Sequence, residues 1–121
     1  MKKSILVVDD EPTMAFALEQ LMKAEGYQVT TASSGQSALD CARKDHPNLI
    51  LLDSSLPDRD GYDICQTIRK DGGNEDVTII MMNTSSRPIE LEKGRACGAN
   101  GALTKPFSLA TAAKTIKDYL T

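Results

Sequence analysis

Three aspartates and one lysine carry the chemistry open to this chain of 121 residues. Asp9 and Asp10 follow the apolar run Ile5-Leu6-Val7-Val8, Asp53 follows Leu49-Ile50-Leu51-Leu52, and Lys105 follows Gly101–Thr104. Two carboxylates about 4 Å apart repel by about 4 kcal/mol at an effective dielectric of about 20. A cluster of that kind must protonate, take a cation or draw in a fixed basic group. Oxygen ligands with room for water favour magnesium, with manganese as the substitute ion, over zinc, which prefers nitrogen and sulfur. Lys105 supplies the basic group, and Asn83-Thr84-Ser85 adds amide and hydroxyl donors. Acids, an amine and neutral donors at one rim suit phosphoryl transfer. Magnesium and Lys105 would share the charge on the equatorial oxygens while a carboxylate attacks in line. A single aspartate at a strand end is ordinarily a solvated residue or a helix cap. Three at two strand ends, with a lysine after a third, go beyond that explanation.

The elements must bring these residues to one place. Short apolar runs alternate with segments of helical period, which predicts parallel βα units. The expected strands are residues 5–8, 28–32, 49–52, 77–82 and 101–104. The second is the least apolar and is read as an edge. The third, apolar throughout, needs cover on both faces. Between them, Pro12 opens a helix with Met14, Ala17, Leu18, Leu21 and Met22 on one face, and Gly26 ends it. Ser34 caps a helix that stops near His46-Pro47. Gly61 leads into a helix with Ile64, Cys65 and Ile68. Pro88 opens a short helix ended by Gly98, and Leu109, Ala112, Ala113, Ile116 and Leu120 mark the last. Five strands and five helices in strict order predict an α/β fold, a doubly wound (βα)5 open parallel sheet with helices on both faces. Five strands are too few for an eight-stranded barrel. In open sheets of this kind ligands bind beyond the carboxyl ends of the strands, where the acids and Lys105 stand. No repeat, low-complexity stretch or linker interrupts the pattern, so one domain over residues 1–121 is expected.

Composition narrows the function classes. The chain is 40% hydrophobic and 26% charged, as soluble globular domains are. Its formal net charge is −3 and its basic residues are scattered, which argues against a nucleic-acid-binding face. The cysteines, Cys41, Cys65 and Cys97, are odd in number and lack a C-x-x-C, so they read as reduced, buried small hydrophobes. No apolar run is long enough for a membrane span, and the run before Asp9 is too short for a signal peptide, so a cytoplasmic protein is expected. His46, before Pro47 in a loop, is read as solvent-exposed.

Four motifs, in order and spacing, give the chain a family likeness: Ile5-Leu6-Val7-Val8-Asp9-Asp10-Glu11, Leu49-Ile50-Leu51-Leu52-Asp53, Leu56-Pro57 with Asp60-Gly61, and Thr104-Lys105-Pro106-Phe107. Along nearly its whole length the sequence resembles the receiver domains of bacterial two-component response regulators, of the CheY-like superfamily. The resemblance implies a flavodoxin-like form of the sheet and a role for each matching position. Asp53 matches the phosphoacceptor. Asp9 and Asp10 match the acidic pair, and the backbone carbonyl of Ser55 the main-chain metal ligand. Lys105 matches the lysine that pairs with the acceptor and then the phosphate, and its bond to Pro106 is expected to be cis. By the same resemblance the phosphoryl donor is a histidine kinase or phosphotransfer protein. The domain then catalyses only its own phosphorylation and dephosphorylation, and meets a downstream protein through the helix four–strand five–helix five face.

Two positions depart from the family pattern. Asn83 stands where these domains have Thr or Ser, with Thr84 one place later, and Ala102 stands where they usually have an aromatic residue. The family hydroxyl moves to bind the phosphoryl group and the aromatic ring swings inward behind it. Asn83 offers an amide instead, and Ala102 has no ring to move. The expectation is that phosphorylation survives while signalling relies on the loop at residues 83–87 and the helix after it. The alternative is an interaction module with this fold that acts without phosphorylation. A magnesium phosphatase of the haloacid dehalogenase type would want D-x-D after the first strand, where this chain has Asp9-Asp10-Glu11, and a cap domain for which there is no length. A dinucleotide site would want G-x-G-x-x-G, which is missing.

Overall fold

The computed structural model describes residues 2–120. Strands and helices alternate as β1 (Ser4–Val8), α1 (Pro12–Ala24), β2 (Gln28–Ala32), α2 (Gly35–Asp45), β3 (Leu49–Asp53), α3 (Gly61–Lys70), β4 (Thr78–Asn83), α4 (Pro88–Ala96), β5 (Gly101–Thr104) and α5 (Leu109–Leu120). The strands form one parallel sheet in the order β2-β1-β3-β4-β5. The weakly apolar β2 lies at an edge, with Ala32 its one buried residue.

The period of two along each strand sends alternate side chains to opposite faces. Leu6, Val8, Ile50, Leu52 and Ile79 pack with residues of α2 and α3, among them Leu39 and Ile68. Ile5, Val7, Leu49, Leu51 and Ile80 pack with residues of α1 and α5, among them Leu18 and Ile116. Both faces of β3 are therefore covered, which is why it can be apolar throughout. Each such Leu or Ile contributes about 1.5–3 kcal/mol by leaving water.

Helix ends follow local chemistry with one addition from afar. Ser34 and Ser37 form a capping box at the start of α2. The Asp58 carboxylate also accepts from the Gly35 and Gln36 N–H groups at 2.7 and 3.1 Å, and these bonds hold its carboxyl below the ordinary range. His46 ends α2 in the left-handed region with φ 46° and is exposed, as expected.

Two expectations need correction. The fourth strand is shifted by one residue, because Asn83 pairs with Thr104 and so belongs to β4. The cysteines are free, but only Cys65 is buried; Cys41 and Cys97 sit at the margin of the core, half-buried. Leu109, counted among the apolar residues at helical spacing that mark α5, is exposed at its first residue, while Ala112 and Ile116 carry the burial. Helix α4 is held least: Gly94 is its one buried residue, and Ile89 is 71% exposed. Among the described residues no helix is long and apolar enough to cross a membrane.

Candidate functional site

Strand order reverses between β1 and β3, and the crevice at such a point lies beyond the strands' carboxyl ends. Val8 lies opposite Leu52, so Asp9 and Asp10 just past β1 reach the same rim as Asp53, the last residue of β3. One carboxylate oxygen from each of Asp9, Asp10 and Asp53 lies within 4.8 Å of the other two. Asp9 and Asp53 are buried and Asp10 is exposed.

Lys105 closes the cluster from the far side of the sheet. Its N–H donates to the Asn83 carbonyl at 2.6 Å, which fixes the chain just past β5 against the end of β4. Its Nζ donates to Asp9 Oδ2 at 3.0 Å and Asp53 Oδ2 at 3.3 Å. The other oxygens are held by backbone: Glu11 N–H donates to Asp9 Oδ1 at 2.9 Å and Ser55 N–H to Asp53 Oδ1 at 3.1 Å. The Lys105–Pro106 bond is cis.

Three carboxylates facing one ammonium leave the rim short of positive charge. Burial raises the Asp53 pKa; the Ser55 N–H and the Lys105 charge oppose this, and the charge of Asp9 adds to it. Lys105 shows the same imbalance from the other side. Burial disfavours its charge, yet the hydrogen bond to Asp9 and the charges of Asp53 and Asp9 outweigh it, and its pKa is raised. Hard oxygen donors, excess negative charge and one exposed carboxylate form a set that fits magnesium, which keeps several of its own waters.

Gly61 shapes the rim through close approach. A Cβ there would sit on the Asp53 carbonyl oxygen and within 2.7 Å of Ser54 Cα. Only a residue without a side chain lets α3 begin so near the end of β3. Gly61→Ala should therefore cost about 1–3 kcal/mol of stability and weaken magnesium binding by displacing residues 53–55. Denaturant melts and metal titration read the two effects.

The remaining expected residues are placed less uniformly. Ser55 is exposed and bridges to Asp60. Asn83 is buried, its Oδ1 accepts from the Tyr62 hydroxyl at 3.2 Å, and its Nδ2 has no partner. Thr84 is exposed just past β4, and Ala102 is exposed on β5. Tyr62 was not among the residues expected at the site. Its one sequence signal is an aromatic ring with a polar tip on the inner face of α3, where a buried hydroxyl usually finds a partner.

The family model described as the response regulator receiver domain matches residues 5–117. The chain belongs to that family. It is a receiver domain of two-component signalling. It is 42% identical over 107 residues to "Probable transcriptional regulator ycf27" of Porphyra purpurea, a match over 88% of this chain and 43% of that protein. The receiver domain thus spans less than half the length of such curated relatives. Among solved structures it resembles the chemotaxis response regulator CheY4 of Vibrio cholerae, with TM-score 0.95, 29% identity and coverage of 98% of this chain and 99% of that one. It also resembles the receiver domain of sensor histidine kinase PA1611 from Pseudomonas aeruginosa PAO1, with TM-score 0.89, 28% identity and coverage of 99% and 98%. That neighbour holds a magnesium ion in its active site cleft.

Proposed function

We propose that Asp53 accepts a phosphoryl group from the phosphohistidine of a histidine kinase or phosphotransfer protein, and that the domain later hydrolyses it. The observation that carries this reading is the convergence of Asp9, Asp10, Asp53 and Lys105 at the β1–β3 crevice. Asp9, Asp10, Asp53 and the Ser55 carbonyl would hold magnesium. When bound, that ion supplies charge neutralisation for the phosphoryl oxygens. The protein's own groups do the rest. A carboxylate oxygen of Asp53 bonds to phosphorus, the phosphorus–nitrogen bond of the donor breaks, and its electron pair returns to the imidazole. Ser55 N–H and Lys105 keep the Asp53 carboxylate in position for this attack, and Lys105 offers its charge to the incoming group. The α4–β5–α5 face, with Ile89 and Tyr119 exposed, is where a downstream protein would dock.

The test is incubation with acetyl phosphate and magnesium, followed by intact-mass and peptide mass spectrometry. The expected result is one added phosphoryl group, labile to hydroxylamine and mapped to Asp53. No added mass, or mass on another residue, overturns the reading and leaves a receiver fold that acts by interaction alone. Because Asp10 is exposed, Asp10→Asn should leave the fold unchanged while weakening magnesium binding by about tenfold or more, as titration calorimetry would show.

A further inference from the structure

Helix α4 has one buried residue, Gly94, which lies against Tyr62 of α3 and Met81 of β4. Beneath the helix lies a cavity of about 300 Å³, lined by Asn83, Leu91, Gly94, Ala102 and Tyr119 among others, where no ring extends from position 102. An element with so little buried apolar surface is cheap to move. Tyr62 of α3 meets it at consecutive positions of one helical face. The Tyr62 hydroxyl lies 3.0 Å from Glu90 Oε2, and Lys93 Nζ lies 4.5 Å from the ring centroid. A Cβ at Gly94 would stand 3.7 Å from Tyr62 Cε1. Residues three and four apart share a face, so Glu90, Lys93 and Gly94 together seat α4 on this ring.

The same hydroxyl lies 3.2 Å from Asn83 Oδ1, at the end of β4. A phenol has one hydrogen to give, and here two acceptors compete for it. Asn83 Nδ2 is buried without a partner, a deficit that an acceptor at the rim would relieve. Met82, the residue before Asn83, is the β-register partner of Asp53.

We infer that Tyr62 is a positioning residue that couples Asn83 to α4, so that capture of the Asn83 amide by a phosphoryl group on Asp53 changes how α4 is held. The inference rests on the phosphoacceptor reading. Drawing Asn83 toward the phosphoryl oxygens takes Oδ1 away from Tyr62, whose hydrogen then goes to Glu90 alone, and α4 resettles over its cavity. The ring absent at position 102 is thereby replaced by one from α3.

The experiment compares amide NMR spectra of the full chain with and without beryllofluoride and magnesium. In the wild type, amides at the strand ends (Asp53, Ser55, Lys105) and in α4 (Glu90, Leu91, Lys93) shift together. Tyr62→Phe keeps the ring and should keep the strand-end shifts while losing those in α4. Glu90→Ala, at a half-exposed site, should do the same, and the double variant should lose no more than either one. A merely structural tyrosine would give additive losses and no such separation. Wild-type α4 shifts in both single variants overturn the coupling alone. A wild-type protein silent at the strand ends overturns the phosphoacceptor reading, and the coupling with it.

Discussion

Asp53→Asn is expected to abolish phosphoryl uptake from acetyl phosphate and, in chelator, to unfold at higher denaturant than the wild type. The first half follows from the carboxylate being the nucleophile, which an amide of the same shape cannot be. The second follows from the charge imbalance at the rim. The raised pKa of Asp53 means that burial and Asp9 disfavour its charge more than Ser55 N–H and Lys105 favour it. Removing that charge, while an amide oxygen still accepts from Ser55 N–H, should add about 1 kcal/mol. Intact-mass spectrometry and urea melts measure the two halves, since the chain has no tryptophan to report by fluorescence. A variant that melts earlier than the wild type in chelator would contradict the imbalance.

The pH dependence of this gap has a definite sign. A carboxyl with a higher pKa in the fold than in the unfolded chain keeps its proton longer in the fold. Its ionisation therefore costs nothing below the ordinary value of 3.8 and costs more as pH rises, until the folded pKa is passed. The gap between Asp53→Asn and the wild type should be smallest in acid and widen upward through that window. Magnesium should narrow it again by stabilising the wild type through mass action.

What could be read in the sequence was whatever has a local signature. An apolar run that ends in aspartate states both a strand and the residue at its carboxyl end, and a parallel sheet carries all such ends to one rim. That is why the gathering of Asp9, Asp10, Asp53 and Lys105 could be anticipated from types and order. The end of β4 was misjudged because Asn83 is polar. A polar residue closes an apolar run by pattern, whereas its backbone still pairs with Thr104. Contacts between distant segments leave no periodic trace. Asp58 reaches α2 across 23 positions, and Tyr62 reaches Glu90 across 28. The helical reading of α3 credited Ile64, Cys65 and Ile68 and passed over the tyrosine, whose importance lies in its hydroxyl. Gly61 looked like a helix start; the close approach of the Asp53 carbonyl shows that it also sets the shape of the rim.

Lys105→Met is expected to slow phosphoryl uptake about a hundredfold, the usual cost of losing one donor aimed at developing charge. Its effect on stability should run opposite to that of Asp53→Asn. The ammonium is 17% exposed and faces carboxylates that are 0% and 7% exposed. Its raised pKa marks it as favoured there. That contribution is fully present below the ordinary value of 10.5 and is lost as pH rises through the folded pKa. At neutral pH the methionine variant should therefore melt earlier than the wild type in chelator. It should also bind magnesium more tightly, since a competing cation has left the cluster. Lys105→Arg separates charge from placement. A guanidinium restores the positive charge, and so most of the stability, but spreads it over a planar fork that does not reproduce a compact ammonium between two Oδ2 atoms. Uptake by the arginine variant should stay well below wild type. If it instead matched the wild type, charge alone would be what Lys105 supplies, and the 3.0 and 3.3 Å contacts would not matter for the rate.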